Sequence, residues 1–192
     1  MASRVGSAAR SMAREHRSVR RWVARDASFS VKLPIGPDAE AVARYILERF
    51  PDTFVATVGA GTFFSCDASH WPNFATIVTS DQFDSASDLA RPDVFRLNIG
   101  VSPETFDRVV GDRREVDHAA LDALLPHPVY ARQQWVCVLN PSHETFDRIV
   151  KPLLDEAHAR VAARSAQRRG ASSARSRRDA PRPARANQRL RP

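Results

Sequence analysis

Apolar residues first recur at helical spacing after Gly36-Pro37-Asp38, where Val42, Tyr45, Ile46 and Phe50 fall on one side of the chain and Pro51 ends the run. Pro suits the first helical position, and an acid there favours the N-terminal dipole. The period then shortens to two. The stretch TFVATVGAGTFFSC (53–66) reads as two short strands around Gly59-Ala60-Gly61, a hairpin. Phe74–Thr79 is a third expected strand. A polar loop, Ser80 to Asp93, leads to a fourth, Val94–Val101. In that strand Phe95, Leu97, Ile99 and Val101 share one face, which leaves Arg96 and Asn98 on the other.

Ser102-Pro103-Glu104 caps a second helix that stops near Val110-Gly111. Val116–Leu125 is a weaker helical stretch, and Gln134–Leu139 a fifth strand closed by Asn140-Pro141. Ser142 opens the last helix, whose stripe is Phe146, Ile149, Val150, Leu153, Leu154, Ala157 and Val161. Pro152 lies inside that stripe and predicts a bend or a split. Residues 97–110 and 137–150 align at an offset of 40 and share Glu-Thr-Phe-Asp-Arg in full. Each is a strand, a Ser cap and a helix, with Phe106 or Phe146 expected to pin the helix on the sheet. Duplication and convergence both account for so short a match, and two units make no solenoid. The order of elements predicts an α+β domain with a mostly antiparallel sheet of about five strands.

Composition adds a boundary to this pattern. The 192 residues are 43% hydrophobic, enough for one domain with a core, and no stretch approaches the ~20 apolar residues of a membrane span. The net charge of +7 is unevenly spread. Residues 1–36 hold eight basic and two acidic residues, and 158–192 eleven and one. Residues 37–157 hold ten and nineteen, so the expected folded part is acidic. The reading is a basic, disordered extension over 1–36, a single domain over 37–164, and an Arg/Pro-rich disordered tail over 165–192. Such tails bury too little apolar surface to offset the entropy of ordering. The first 30 residues lack the apolar core of a secretory signal, and Arg20-Arg21 is not followed by one. Their Arg/Ala/Ser text also fits GC-rich DNA read upstream of a start, with Val31 as an alternative beginning. Two cysteines, Cys66 and Cys137, are too few for a disulfide scaffold and predict reduced thiols in a cytoplasmic protein.

The chain shows no Gly-rich phosphate loop, no G-x-S-x-G, no H-E-x-x-H and no paired C-x-x-C. Cys66 and His70 have ligand-like spacing, but two ligands do not hold a structural zinc. Asp81, Asp84 and Asp88 lack the spacing and Gly of an EF-hand loop and read as a solvated acidic loop. Neither a metal nor a cofactor is expected. The better constellation is Pro126-His127-Pro128-Val129-Tyr130, followed by Arg132 and Trp135. Two prolines restrict how His127 points, and histidine is the side chain most easily poised near neutral pH. Arg96, Asn98, His127 and Tyr130 are expected around one polar pocket walled by Trp135 and Trp71. A buried Arg96 would then need a carboxylate, from Asp81, Asp84 or Asp88, or an anionic ligand.

The segments WPNFATIVTSDQFDSASDLARPDVFRLNIGVSPETF, ALDALLPHPVYARQQWVCVLNPSHETF and PLLDEAH resemble the bacterial domain-of-unknown-function 6194 family over roughly Ala39 to Arg160. More distantly, the sequence of elements is similar to the pattern of the MmcQ/YjbR-like proteins, which implies a double-wing α+β fold of a kind proposed to bind DNA. Neither resemblance implies an established activity. Three readings follow: a small domain that binds a small ligand near the PHPVY segment; a nucleic-acid binder using its Arg-rich tails in weak, sequence-independent contact; and an enzyme with His127 as general acid or base. No membrane partner is expected.

Overall fold

A computed structural model describes residues 33–111 and 116–178, with side chains to Gly170. Helix α1 (Ala39–Arg49) starts where the Asp38 carboxylate accepts the Ala41 N–H at 2.7 Å, and it buries Val42 and Ile46. The hairpin follows as β1 (Phe54–Val58) and β2 (Gly61–Ser65), turned by Gly59 at φ +55°. Strands β3 (Asn73–Val78) and β4 (Arg96–Gly100) flank the polar loop. Helix α2 (Pro103–Val110) is capped by Ser102, whose hydroxyl accepts the Thr105 N–H, and Gly111 ends it at φ +60°.

The expected helix over Val116–Leu125 does not form. Asp122 stands at φ +56°, a left-handed setting that breaks a helix, and its N–H donates to the Leu139 carbonyl. Leu121 bridges Leu139, and Leu125 opens a two-residue strand, β5 (Leu125–Pro126). Pairing with the neighbouring strand satisfies this backbone better than a weakly apolar helix that runs into Pro126. Among the described residues the sheet therefore has six strands. A 3₁₀ turn (Ala131–Gln133) leads to β6 (Trp135–Leu139), and the order across the sheet is β1-β2-β3-β4-β6-β5, antiparallel between all neighbours. The fold class is α+β.

The C-terminal helix starts as α3 (His143–Thr145), capped by Ser142, passes through a π-helical turn (Phe146–Val150) and continues as α4 (Lys151–Arg178). In the π turn the Lys151 N–H reaches back to the Phe146 carbonyl. The widened turn lies just ahead of Pro152, which has no N–H to give and whose ring would crowd the carbonyl four residues back. The expected disruption is thus absorbed without splitting the helix. α4 also runs past the expected domain edge at 164: Ser165 is buried, and Arg168 donates to the Trp71 carbonyl at 3.1 Å. Residues 1–32 and 179–192, which hold most of the two expected tails, lie outside the described residues. Among the described residues, no helix is long and apolar enough to cross a membrane.

Strand register gives the sheet two unlike faces. Phe64, Ala75, Ile77, Leu97, Ile99, Val136 and Val138 point one way and join Val42, Ile46, Val150, Leu154 and Ala157 from the helices in the main core. The alternate positions, Phe63, Thr76, Val78, Arg96, Asn98, Gly100, Trp135, Cys137 and Leu139, point the other way. A smaller cluster of Val78, Leu89, Val94 and Leu139 closes one end of that second face. The rest of it carries the polar side chains.

Candidate functional site

Arg96 is 1% exposed and its charge is met inside the protein. Nη1 donates to Asp84 Oδ1 at 3.0 Å and Ser87 Oγ at 2.8 Å, and Nη2 to Asp84 Oδ2 at 2.6 Å. This two-point pair is the strong form of an Arg–carboxylate contact, and it holds the Asp84 carboxyl below the usual range. Of the three aspartates expected as partners, Asp84 alone takes this role. Asp81 accepts the Leu89 N–H, and Asp88 pairs with Arg91. Arg96 is therefore a paired structural cation, and only its Nε is left buried without a partner.

Asn98, two residues on, donates to Thr76 Oγ1 at 2.8 Å across the β3–β4 pair, and its Oδ1 is buried with no partner. His127 is 4% exposed. Its Nδ1 accepts the N–H groups of Val129 and Tyr130, each at 3.1 Å, so Nε2 carries the ring proton. Pro128 has no N–H to offer, and the turn puts the next two donors on the ring. Burial, with the nearby Arg96 charge, pushes His127 down to about 4, well away from the neutral poise its residue type suggests.

These groups face one cavity of about 600 Å³ on the second face of the sheet. Arg96, Asn98, His127, Tyr130, Trp135 and Trp71 all line it. Thr76, Asn98 and His127 form its polar floor, and the aromatic walls are Phe63, Phe83 and Trp135, the Phe63 and Phe83 rings meeting edge to face at 6.0 Å. Tyr130 stands half exposed at the mouth, and its ring lies 4.9 Å from the His127 ring. Gly100 lets the Trp135 ring lie close: a Cβ there would stand 3.3 Å from the ring, which would have to give by a few tenths of an ångström. At that end α4 contributes Arg160 and Arg164.

The family model of DUF6194, described as a family of unknown function, matches residues 37–170. The chain belongs to DUF6194. No curated protein and no solved structure matches it. The matched span of this DUF6194 chain includes every residue that lines the cavity. Sequence reasoning missed Phe63, Phe83, Arg160 and Arg164. The first three-strand alternation places Phe63 opposite Phe64, so its direction was readable. Phe83 sits in an irregular loop, and the arginines sit on a helix that mainly serves the other face, so neither carried a local signal. Cys66 and His70 do not meet: the Cys66 thiol points to the His158 carbonyl at 3.8 Å, while the His70 ring lies against Phe54. Among the described residues, no group of three or more His, Cys, Asp or Glu side chains is placed to hold a metal ion.

Proposed function

We propose that this DUF6194 domain binds a small organic molecule in the cavity on the second face of its sheet. Its apolar body packs among Phe63, Phe83 and Trp135, and its hydrogen-bonding groups meet Asn98 and His127. The observation that carries this reading is a polar floor under an aromatic-walled space of about 600 Å³, with Asn98 Oδ1 buried and unpartnered. Sites for small molecules have this size and this mix of apolar lining with a few fixed polar groups. Buried polar atoms are costly unless something meets them.

The state of His127 favours binding over acid–base chemistry. A neutral ring whose Nδ1 lone pair is taken by two backbone donors has no free lone pair to remove a proton. Held well below neutral pH, it carries no extra proton to give. Its Nε2–H is instead a fixed donor for a ligand oxygen or nitrogen. The test is a titration of the full chain with N-phenyl-1-naphthylamine, a neutral aromatic probe, following probe emission and tryptophan quenching. Saturable binding of one probe per chain is expected, weakened about fivefold in Phe83→Ala, a substitution at a half-exposed wall residue. Absence of saturable binding, or binding indifferent to Phe83, contradicts the reading.

A further inference from the structure

We infer that the ligand of this cavity carries an oxyanion, such as a carboxylate or phosphate, and that Arg160 and Arg164 receive it at the Gly100 end. The inference rests on the reading of the cavity as a small-molecule site and names the class of molecule. Arg160 and Arg164 are one helical turn apart on α4 and line the same cavity. Like charges at this spacing repel and weaken a helix, and burial together with the Arg164 charge lowers Arg160's hold on its proton. Neither makes an ion pair among the described residues. Glu156 and Glu104 both act on Arg160 through space, but neither reaches ion-pair distance, and Glu156 instead accepts the Ser102 N–H and the Thr105 hydroxyl, each at 2.7 Å.

Arg160 is held in place by a neutral carbonyl rather than by a carboxylate at ion-pair distance. One of its donors bonds the Gly100 carbonyl at 3.2 Å, and neither Arg160 nor Arg164 makes any other hydrogen bond among the described residues. Gly100 also seats the Trp135 ring, so the cationic end adjoins an aromatic wall. Arg96, at the other end of the strand, cannot serve, since Asp84 already neutralises it. An aromatic or apolar molecule with one oxyanion matches this polarity along the cavity, its anion on Arg160 and Arg164 and its neutral polar groups toward His127 and Asn98.

Two probes with one ring system separate this inference from the reading beneath it. N-phenyl-1-naphthylamine is neutral, and 8-anilino-1-naphthalenesulfonate adds a sulfonate. The full chain is expected to bind the sulfonate about tenfold more tightly. That preference disappears in R160Q/R164Q while affinity for the neutral probe is kept. It survives in R44Q/R148Q, the same loss of charge on exposed helical surface away from the cavity. R164Q alone, which removes no described hydrogen bond, shows a partial loss and decides the matter if the double variant does not fold. No binding of either probe overturns the cavity reading and this inference together. Neutral binding without a preference for the sulfonate, or a preference unchanged by R160Q/R164Q and R164Q or equally lost in R44Q/R148Q, overturns this inference alone.

Discussion

At the scale of single residues, the polar floor of the cavity divides into groups that hold the fold and groups left to meet a ligand. Arg96 and Asp84 hold it. Removing one partner strands a buried charge, which typically costs about 3–5 kcal/mol, so R96A is expected to lower stability in urea unfolding by that order; a change near zero would contradict the pairing. His127 makes stability depend on pH. Its ordinary value is 6.5 and its folded value is about 4, so between these the unfolded chain binds a proton that the folded chain refuses. Stability is then full above about pH 6.5 and falls as pH drops toward 4, by on the order of 3 kcal/mol. His127→Asn keeps an acceptor for the Val129 and Tyr130 N–H groups and should flatten that window. The Asp84 contribution, from a carboxyl held below its usual range, is lost only at still lower pH. Strand alternation made Arg96 and Asn98 readable as neighbours on one face, and flanking prolines marked His127. The partner of Arg96 was legible only as one of three loop aspartates, because an irregular loop has no period to place them.

Elements show where local pattern sufficed and where it did not. The hairpin, the alternation of β4, and the Ser102 and Ser142 caps follow from neighbours within a few residues, and the structure has them. The stretch 116–125 departs from its expected helix because its backbone partner, β6, lies ten or more residues on and no local period reveals it. The last helix outran its expected edge because α4 packs Val161 and Ser165 and bonds Trp71 through Arg168. The repeat is similarly partial. Both caps accept the Thr N–H three residues on. Phe146 is buried, with its ring edge-on to Tyr45 at 5.2 Å, whereas Phe106 is half buried beside the core and Thr105 takes the inward place. F146A is therefore expected to cost about 3–5 kcal/mol and F106A clearly less. Equal costs in denaturant unfolding would restore the symmetric reading and contradict the packing described.

For the molecule as a whole, both apolar clusters are built from residues between Leu33 and Ala162. A chain of residues 33–178 is expected to unfold cooperatively, with a thermal midpoint within a few degrees of the full chain's; loss of the cooperative transition would contradict this. That shortened chain has seventeen basic and nineteen acidic residues, against 29 and 22 in the whole. Any salt-sensitive hold on duplex DNA should therefore weaken sharply on shortening, since it draws on the removed arginines. An unchanged affinity in a filter or mobility assay would move the contact to the folded part. The two faces of the sheet organise everything else: one is spent on the helices and the core, the other holds a walled space with a polar floor. That the second face binds a small molecule is tested most directly by an amide correlation spectrum of the full chain titrated with N-phenyl-1-naphthylamine. Saturable shifts are expected at Asn98, Gly100, His127, Gln133, Gln134 and the Trp135 indole, with the helix-side residues Leu97 and Val138 little changed. Shifts confined to other surfaces, or none at a several-fold excess of probe, would contradict it.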